Sequence, residues 1–296
     1  MASRLVIGAK LPNSGPVALD RGVPDLARAL EGAGFDSVWV SDHIVLPREI
    51  RSRYPFAEDG RATWPPDVPY LDSLIALALA AGVTERVTLG IAVLVLPLRH
   101  PIVTAKQLAS IDVASGGRLR LGVGAGWLRE EFEALDVPFE SRGARLEEWT
   151  ELLRSCWTGT PGPHTGTRYR LPPDVLCLPA PARSVPILFG GHSPSALRRA
   201  GSIGDGWLAQ QSLGSLDTTE LEAARRTVRD AARSAGRDPE QLQVVLRIVE
   251  SAGRSAELAP RLPKLAVAGV DEVIVDVDWA SDDPAAELEQ LSAGVA

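Results

Sequence analysis

The apolar run "GFDSVWVSDHI" closes on two adjacent polar residues, Asp42 and His43. In extended backbone neighbouring side chains point to opposite sides, so one of them can face a site while the other packs away from it. Buried without partners, such a pair is costly. Either a ligand contacts it, or Asp42 caps a helix and His43 sits partly exposed. An imidazole with an ordinary pKa near 6.5 is a natural proton donor or acceptor at neutral pH, which makes His43 the first acid–base candidate. Glu130 in "GWLREEFE" is the second, although Glu130 and Glu131 also suit the acidic first turn of a helix.

A third stretch, "VPILFGGHSPSAL", suggests an anion site. Gly190 and Gly191 let the backbone turn sharply, Ser193 is a good N-cap, and Pro194 suits the first helical position. With His192, they would place amide groups and a helix dipole at the end of a strand. A capped helix without a ligand is the plainer alternative. "LGVGAGW" carries Gly122, Gly124 and Gly126 at alternate positions, which opens space on one strand face for a ligand or a neighbouring ring. Four histidines without metal-ligand spacing argue against a metal site, and no G-x-S-x-G supports a serine hydrolase.

These residues need a scaffold. Short apolar runs at 4–11, 37–41, 86–96, 118–126, 185–191, 205–210, 242–249 and 272–278 read as strands. Amphipathic segments between them read as helices, including 21–33, 70–82, 102–115, 143–158, 195–202, 218–236, 255–268 and 284–293. Strict alternation implies a parallel sheet covered by helices. Eight units in 296 residues fit one closed (β/α)8 TIM barrel, a single domain over 1–296, with insertions at 44–68 and 159–184 near the active end. Active sites of such barrels lie at the C-terminal strand ends, where all three stretches fall.

Composition narrows the partners. The formal net charge is −7 and no Lys/Arg tract occurs, so a nucleic-acid partner is not expected. Arginine carries nearly all the positive charge; the lysines are Lys10, Lys106 and Lys264. The N-terminal stretch reads as a strand rather than a signal peptide, and the longest apolar run is too short to span a bilayer. Two cysteines, Cys156 and Cys177, make no disulfide framework, and a reduced, cytoplasmic protein is expected.

Over nearly its whole length the chain resembles the bacterial-luciferase-like family of flavin and deazaflavin oxidoreductases. "GFDSVWVSDHI", "LPLRHPIVTAKQLASIDVASGGRLRLGVGAGWLREEFEALDVPFESRGARLEEW" and "VPILFGGHSPSALRRAGSIGDGWL" carry the resemblance. It looks most like the branch that uses coenzyme F420, an 8-hydroxy-5-deazaflavin. The resemblance implies that Asp42 and His43 contact the cofactor ring, and that Ala92–Val93 forms a strand-three bulge with a non-proline cis peptide against it. It also implies that Gly190, Gly191, His192 and Ser193 hold the cofactor phosphate, and Gly124, on the open face of strand four, is read as a further cofactor contact. Hydride transfer to or from a small organic substrate would follow, in a homodimer. The alternatives are a reduced-FMN monooxygenase and a non-catalytic flavin-binding barrel. One departure stands out: relatives that oxidise hexose phosphates carry glutamate where this chain has Trp127, and they use lysines on the substrate phosphate. A bulkier, less charged substrate beneath loop 44–68, lined by Tyr54, Phe56 and Trp64, is therefore expected.

Overall fold

A computed structural model describes residues 4–57, 59–62, 64–281 and 283–294. The expected strands all form, and eight of them close a parallel barrel. In chain order they are β1 Val6–Lys10, β2 Ser37–Val40, β3 Thr88–Val95, β4 Leu119–Gly124, β7 Ile187–Gly190, β8 Gly206–Ser212, β9 Gln243–Val249 and β10 Glu272–Val275. The remaining two, β5 His164–Thr165 and β6 Arg170–Leu171, make a small antiparallel hairpin inside the segment expected to be loop. The helices are α1 Gly15–Asp20, α2 Val23–Ala33, α3 Ser73–Ala81, α4 Pro101–Ala114, α5 Arg129–Ala134, α6 Arg142–Cys156, α7 Pro194–Ser202, α8 Thr218–Ser234, α9 Ser255–Leu258, α10 Leu262–Val267 and α11 Pro284–Ala293.

Two of these, α1 and α5, fall where the sequence reads as irregular; each has only six residues, too short to show a helical period. Among the described residues, no helix is long and apolar enough to cross a membrane.

Helix boundaries follow local chemistry. The Asp72 carboxylate accepts the amides of Leu74 and Ile75 and starts α3. Gly34, at φ +98°, ends α2 in the left-handed conformation that glycine adopts without strain.

The barrel interior is layered because strand side chains alternate. At the N-terminal end Glu272 accepts hydrogen bonds from Ser37 and Trp39 and pairs with Arg120. Above it, Trp39, Leu188, Leu208, Val245 and Ile274 form an apolar plug with Ala92 and Val93. Space beside Gly90 is filled by the Trp39 indole. One step further along the same faces lie Lys10, Gly124, Gly190, Gln210, Arg247 and, just past β10, Asp276. These residues floor the active-end mouth.

Candidate active site

The strand-two pair divides as its alternation requires, and Asp42 is the partner that packs away from the mouth, against α3. It is buried, and its Oδ1 accepts from Ser73 Oγ at 2.8 Å and Arg99 Nη2 at 2.7 Å. Its Oδ2 accepts the Val95 amide at 3.0 Å. Arg99 also reaches Asp72 at 2.8 Å. Asp42 thus ties β2, β3, α3 and the segment after β3 together. The expected direct ring contact gives way to a carboxylate whose acceptor positions are occupied within the protein.

His43 faces the mouth. Its Nδ1 lies 3.0 Å from Glu131 Oε2, and a carboxylate can only accept there, so Nδ1 donates and Nε2 is the ring nitrogen left for a ligand. Tyr70, Trp64 and Trp127 surround the imidazole, with ring centroids 5.6, 6.0 and 6.2 Å away. Burial pushes the Tyr70 phenol well above the ordinary tyrosine range, so it stays protonated.

The two glutamates exchange their expected parts. Glu131 is buried at 1% exposure, not solvated at a helix start, and is the residue that holds His43. Its other oxygen accepts the amides of Ile44 at 2.6 Å and Val45 at 3.3 Å. Glu130, the expected proton carrier, instead accepts the amides of Arg51 and Ser52 and the Ser52 hydroxyl. Those hydrogen bonds hold its carboxyl below the usual range against a desolvation that pushes the other way. Glu130 is therefore a loop anchor: an acid this well satisfied has little proton to give.

The peptide Ala92–Val93 is cis, as the resemblance implies, and sits where the β3–β4 register shifts between Ile91 and Leu94. Val93 projects toward Gly122, Gly124 and Gly190. A Cβ on Gly124 would lie 2.6 Å from it, and one on Gly190 2.7 Å. The glycine space of strand four thus belongs to a protein side chain. Gly126 does not share that face. It lies past the strand at φ +86°, where a Cβ would meet Phe132 and Val95. Gly190→Ala is expected to cost about 1–3 kcal/mol by overpacking against Val93, read as a lower denaturation midpoint.

At the end of β7, Gly191 turns at φ +113° and Ser193 Oγ caps α7 by accepting the Ala196 amide at 3.2 Å. First-turn amides have no intrahelical acceptors, so this start can receive an anion. His192 is less available than expected. Its Nε2 accepts the Gln210 amide at 3.1 Å, and its Nδ1 lies 3.6 Å from Glu220. Burial lowers its pKa while Glu220 opposes the shift. An arc of rings links the two halves of the site. Trp127 lies 5.1 Å from Tyr54, Tyr54 5.6 Å from Phe56, and Phe56 5.7 Å from His192. Loop 44–68 therefore lays its aromatics over the mouth, with Gln210 Nε2 donating to the Tyr54 hydroxyl at 2.9 Å.

Several mouth residues carried no expectation: Lys10, Asn13, Gln210, Arg247 and Asp276. Charged residues inside otherwise apolar strands, as in "VVLRIV" and "VIVDVD", are the signal that marks them.

This geometry has relatives. The family model described as luciferase-like monooxygenase matches residues 12–291. The chain belongs to that family. It is thus an oxidoreductase on a luciferase-like barrel. It is 36% identical over 221 residues to an uncharacterized protein of Mycobacterium tuberculosis, covering 74% of this chain and 75% of that one. It is 34% identical over 238 residues to the F420-dependent glucose-6-phosphate dehydrogenase of Nakamurella multipartita, covering 79% of this chain and 65% of that protein. Among solved structures, an F420-dependent secondary alcohol dehydrogenase in complex with an F420-acetone adduct superposes with TM-score 0.76 at 17% identity, covering 98% and 99% of the two chains. The monooxygenase RslO1 of Streptomyces bottropensis superposes with TM-score 0.74 at 21% identity, covering 98% of each. At such identities the likeness is one of fold.

Proposed function

We propose that this luciferase-like protein is an F420-dependent oxidoreductase that moves a hydride between the deazaflavin and a small organic substrate. The observation that carries the reading is the His43–Glu131 pair, set across the barrel mouth from the Gly190–Ser193 turn and joined to it by the ring arc. Relatives named for F420 support the cofactor class.

The residues present fit a flat ring with an anionic tail. Gly191 turns the chain at φ +113° into the α7 start, which offers amides to a phosphate. Beside His43, Trp64 Nε1 is buried with no hydrogen-bond partner among the described residues, a donor to which a ligand oxygen would be complementary.

When bound, the cofactor supplies hydride chemistry. The protein supplies the rest. Ser193 holds the helix start in position for the phosphate. Glu131 fixes the His43 tautomer, so that Nε2 is the atom that takes or returns the substrate's proton. Tyr54, Trp64 and Trp127 exclude water above it. A reduced deazaflavin reacts poorly with oxygen, so this assignment involves no oxygen activation.

Titrating the purified protein with F420 and with FMN, by fluorescence, tests the assignment. Micromolar binding of F420 is expected, and Ser193→Asp should weaken it at least about tenfold by repulsion of the phosphate. Aspartate is as good an N-cap as serine, so the variant should fold normally. Preference for FMN would assign the mouth to a flavin instead, and binding of neither would overturn the reading.

A further inference from the structure

The half of the mouth built by β8, β9, β10 and β1 carries Lys10, Arg247 and Asp276, three charged residues that the chemistry above does not use. Lys10 and Arg247 project from barrel strands into the space above the apolar plug, with Gln210 and Asp276 beside them. Lys10 Nζ donates to two neutral acceptors, the Leu11 carbonyl at 2.8 Å and Asn13 Oδ1 at 2.9 Å. Asn13 is itself locked. It is fully buried, its amide donates to the carbonyls of Ser41 and Leu71, and its Oδ1 also accepts the Ser41 amide. An ammonium has three N–H donors, so this arrangement aims Lys10 while leaving a donor for something else. Arg247 is 7% exposed and pairs with Asp276. Its remaining hydrogen bonds go to the carbonyls of Ile248 and Ile274.

We propose that Lys10 and Arg247 form an anion subsite that takes the carboxylate of an acidic substrate, in the mouth assigned above to hydride transfer. This deepens the functional reading and rests on it, and it replaces the expectation of a weakly charged substrate. Charge balance selects the class. Asp276 offsets Arg247, so a protonated Lys10 leaves roughly one positive charge, which matches one carboxylate better than a phosphate dianion. The ring arc then covers the apolar part of such a substrate, and His43 follows β2, the strand paired with the β1 strand of Lys10.

The state of Lys10 supports the subsite. Burial, first, and the nearby Arg247 cation pull its pKa down to about 7, with Asp276 opposing them. Arg247 and Glu250 both act on the nearby Tyr54 phenol, with opposite signs. A lysine depressed in this way gains its proton when an anion arrives. Carboxylate binding should therefore be strong below about pH 7 and weaken as pH rises above it.

The test uses the wild-type protein without cofactor. With three lysines in the chain, selective 13C labelling at Cε gives three signals to follow by NMR. One should titrate near 7, and Lys106 and Lys264 serve as internal controls. Adding about 50 mM acetate should move the Lys10 midpoint up by about one pH unit, the size expected of a carboxylate within reach. Asp276→Asn should start lower and respond more, the opposite of what damage to the site would give.

No response to acetate, or a larger response to inorganic phosphate, overturns the proposal. So does an equal rise on adding F420 alone, since the anion held would then be the cofactor's. Repeating the acetate titration in Ser193→Asp separates the two readings, because loss of cofactor binding there leaves the Lys10 response intact.

Discussion

Replacing His43 with glutamine is expected to lower turnover by about 10²–10³-fold, the usual contribution of a positioned acid–base group. The assay would follow F420 reduction with whichever member of an alcohol and hydroxy-acid panel supports it. Binding of F420 should change no more than severalfold, because the Gly190–Ser193 turn is untouched. Glu131→Gln tests the positioning role separately. It retains an oxygen for the Ile44 amide but no longer demands a proton on Nδ1. An intermediate loss in kcat is expected, with KM little changed and the pH profile displaced, a result that merely structural damage would not give. Full activity in His43→Gln would remove the imidazole from the mechanism.

The second large effect is on stability. Asp42→Ala removes the acceptor of the Ser73 hydroxyl, the Val95 amide and the Arg99 guanidinium together. Arg99 would stay largely buried with Asp72 as its remaining carboxylate partner. Removing one partner of a buried ion pair costs about 3–5 kcal/mol. That is a large share of the roughly 5–15 kcal/mol that keeps a typical domain folded. Urea denaturation should show a correspondingly lower midpoint, with a similar slope if the barrel still unfolds as one unit. A stable Asp42→Ala protein that fails to bind cofactor would restore the direct-contact role suggested by resemblance.

The barrel was legible because each of its eight strands is a short apolar run bounded by turn chemistry, and because the helices between them carry a clear period. The short helix α5 was not, and with it went the choice between Glu130 and Glu131. Which of two consecutive glutamates points inward depends on how the chain enters the helix at Leu128, where no side chain caps the turn. For Asp42 the type and position were clear but the direction was not. Its anchor, Arg99, lies 57 residues away and becomes its neighbour only when β3 closes against β2. Lys10, Arg247 and Asp276 were hidden for the same reason. They lie on or just past three different strands, and only closure between β1 and β10 makes them one group.

The two glutamates of α5 divide loop 44–68 into parts with different freedoms. Residues 44–52 are riveted to the barrel at both Glu131 and Glu130, and His43 shares the first rivet. Beyond Ser52, Tyr54 packs its ring on Trp64 and Trp127 and accepts a hydrogen bond from Gln210. The described aromatics of 53–68 thus form a visor over the mouth, set on the anchored stretch 44–52. For engineering, a library confined to 53–68 should alter which molecules enter far more readily than it alters the chemistry done to them.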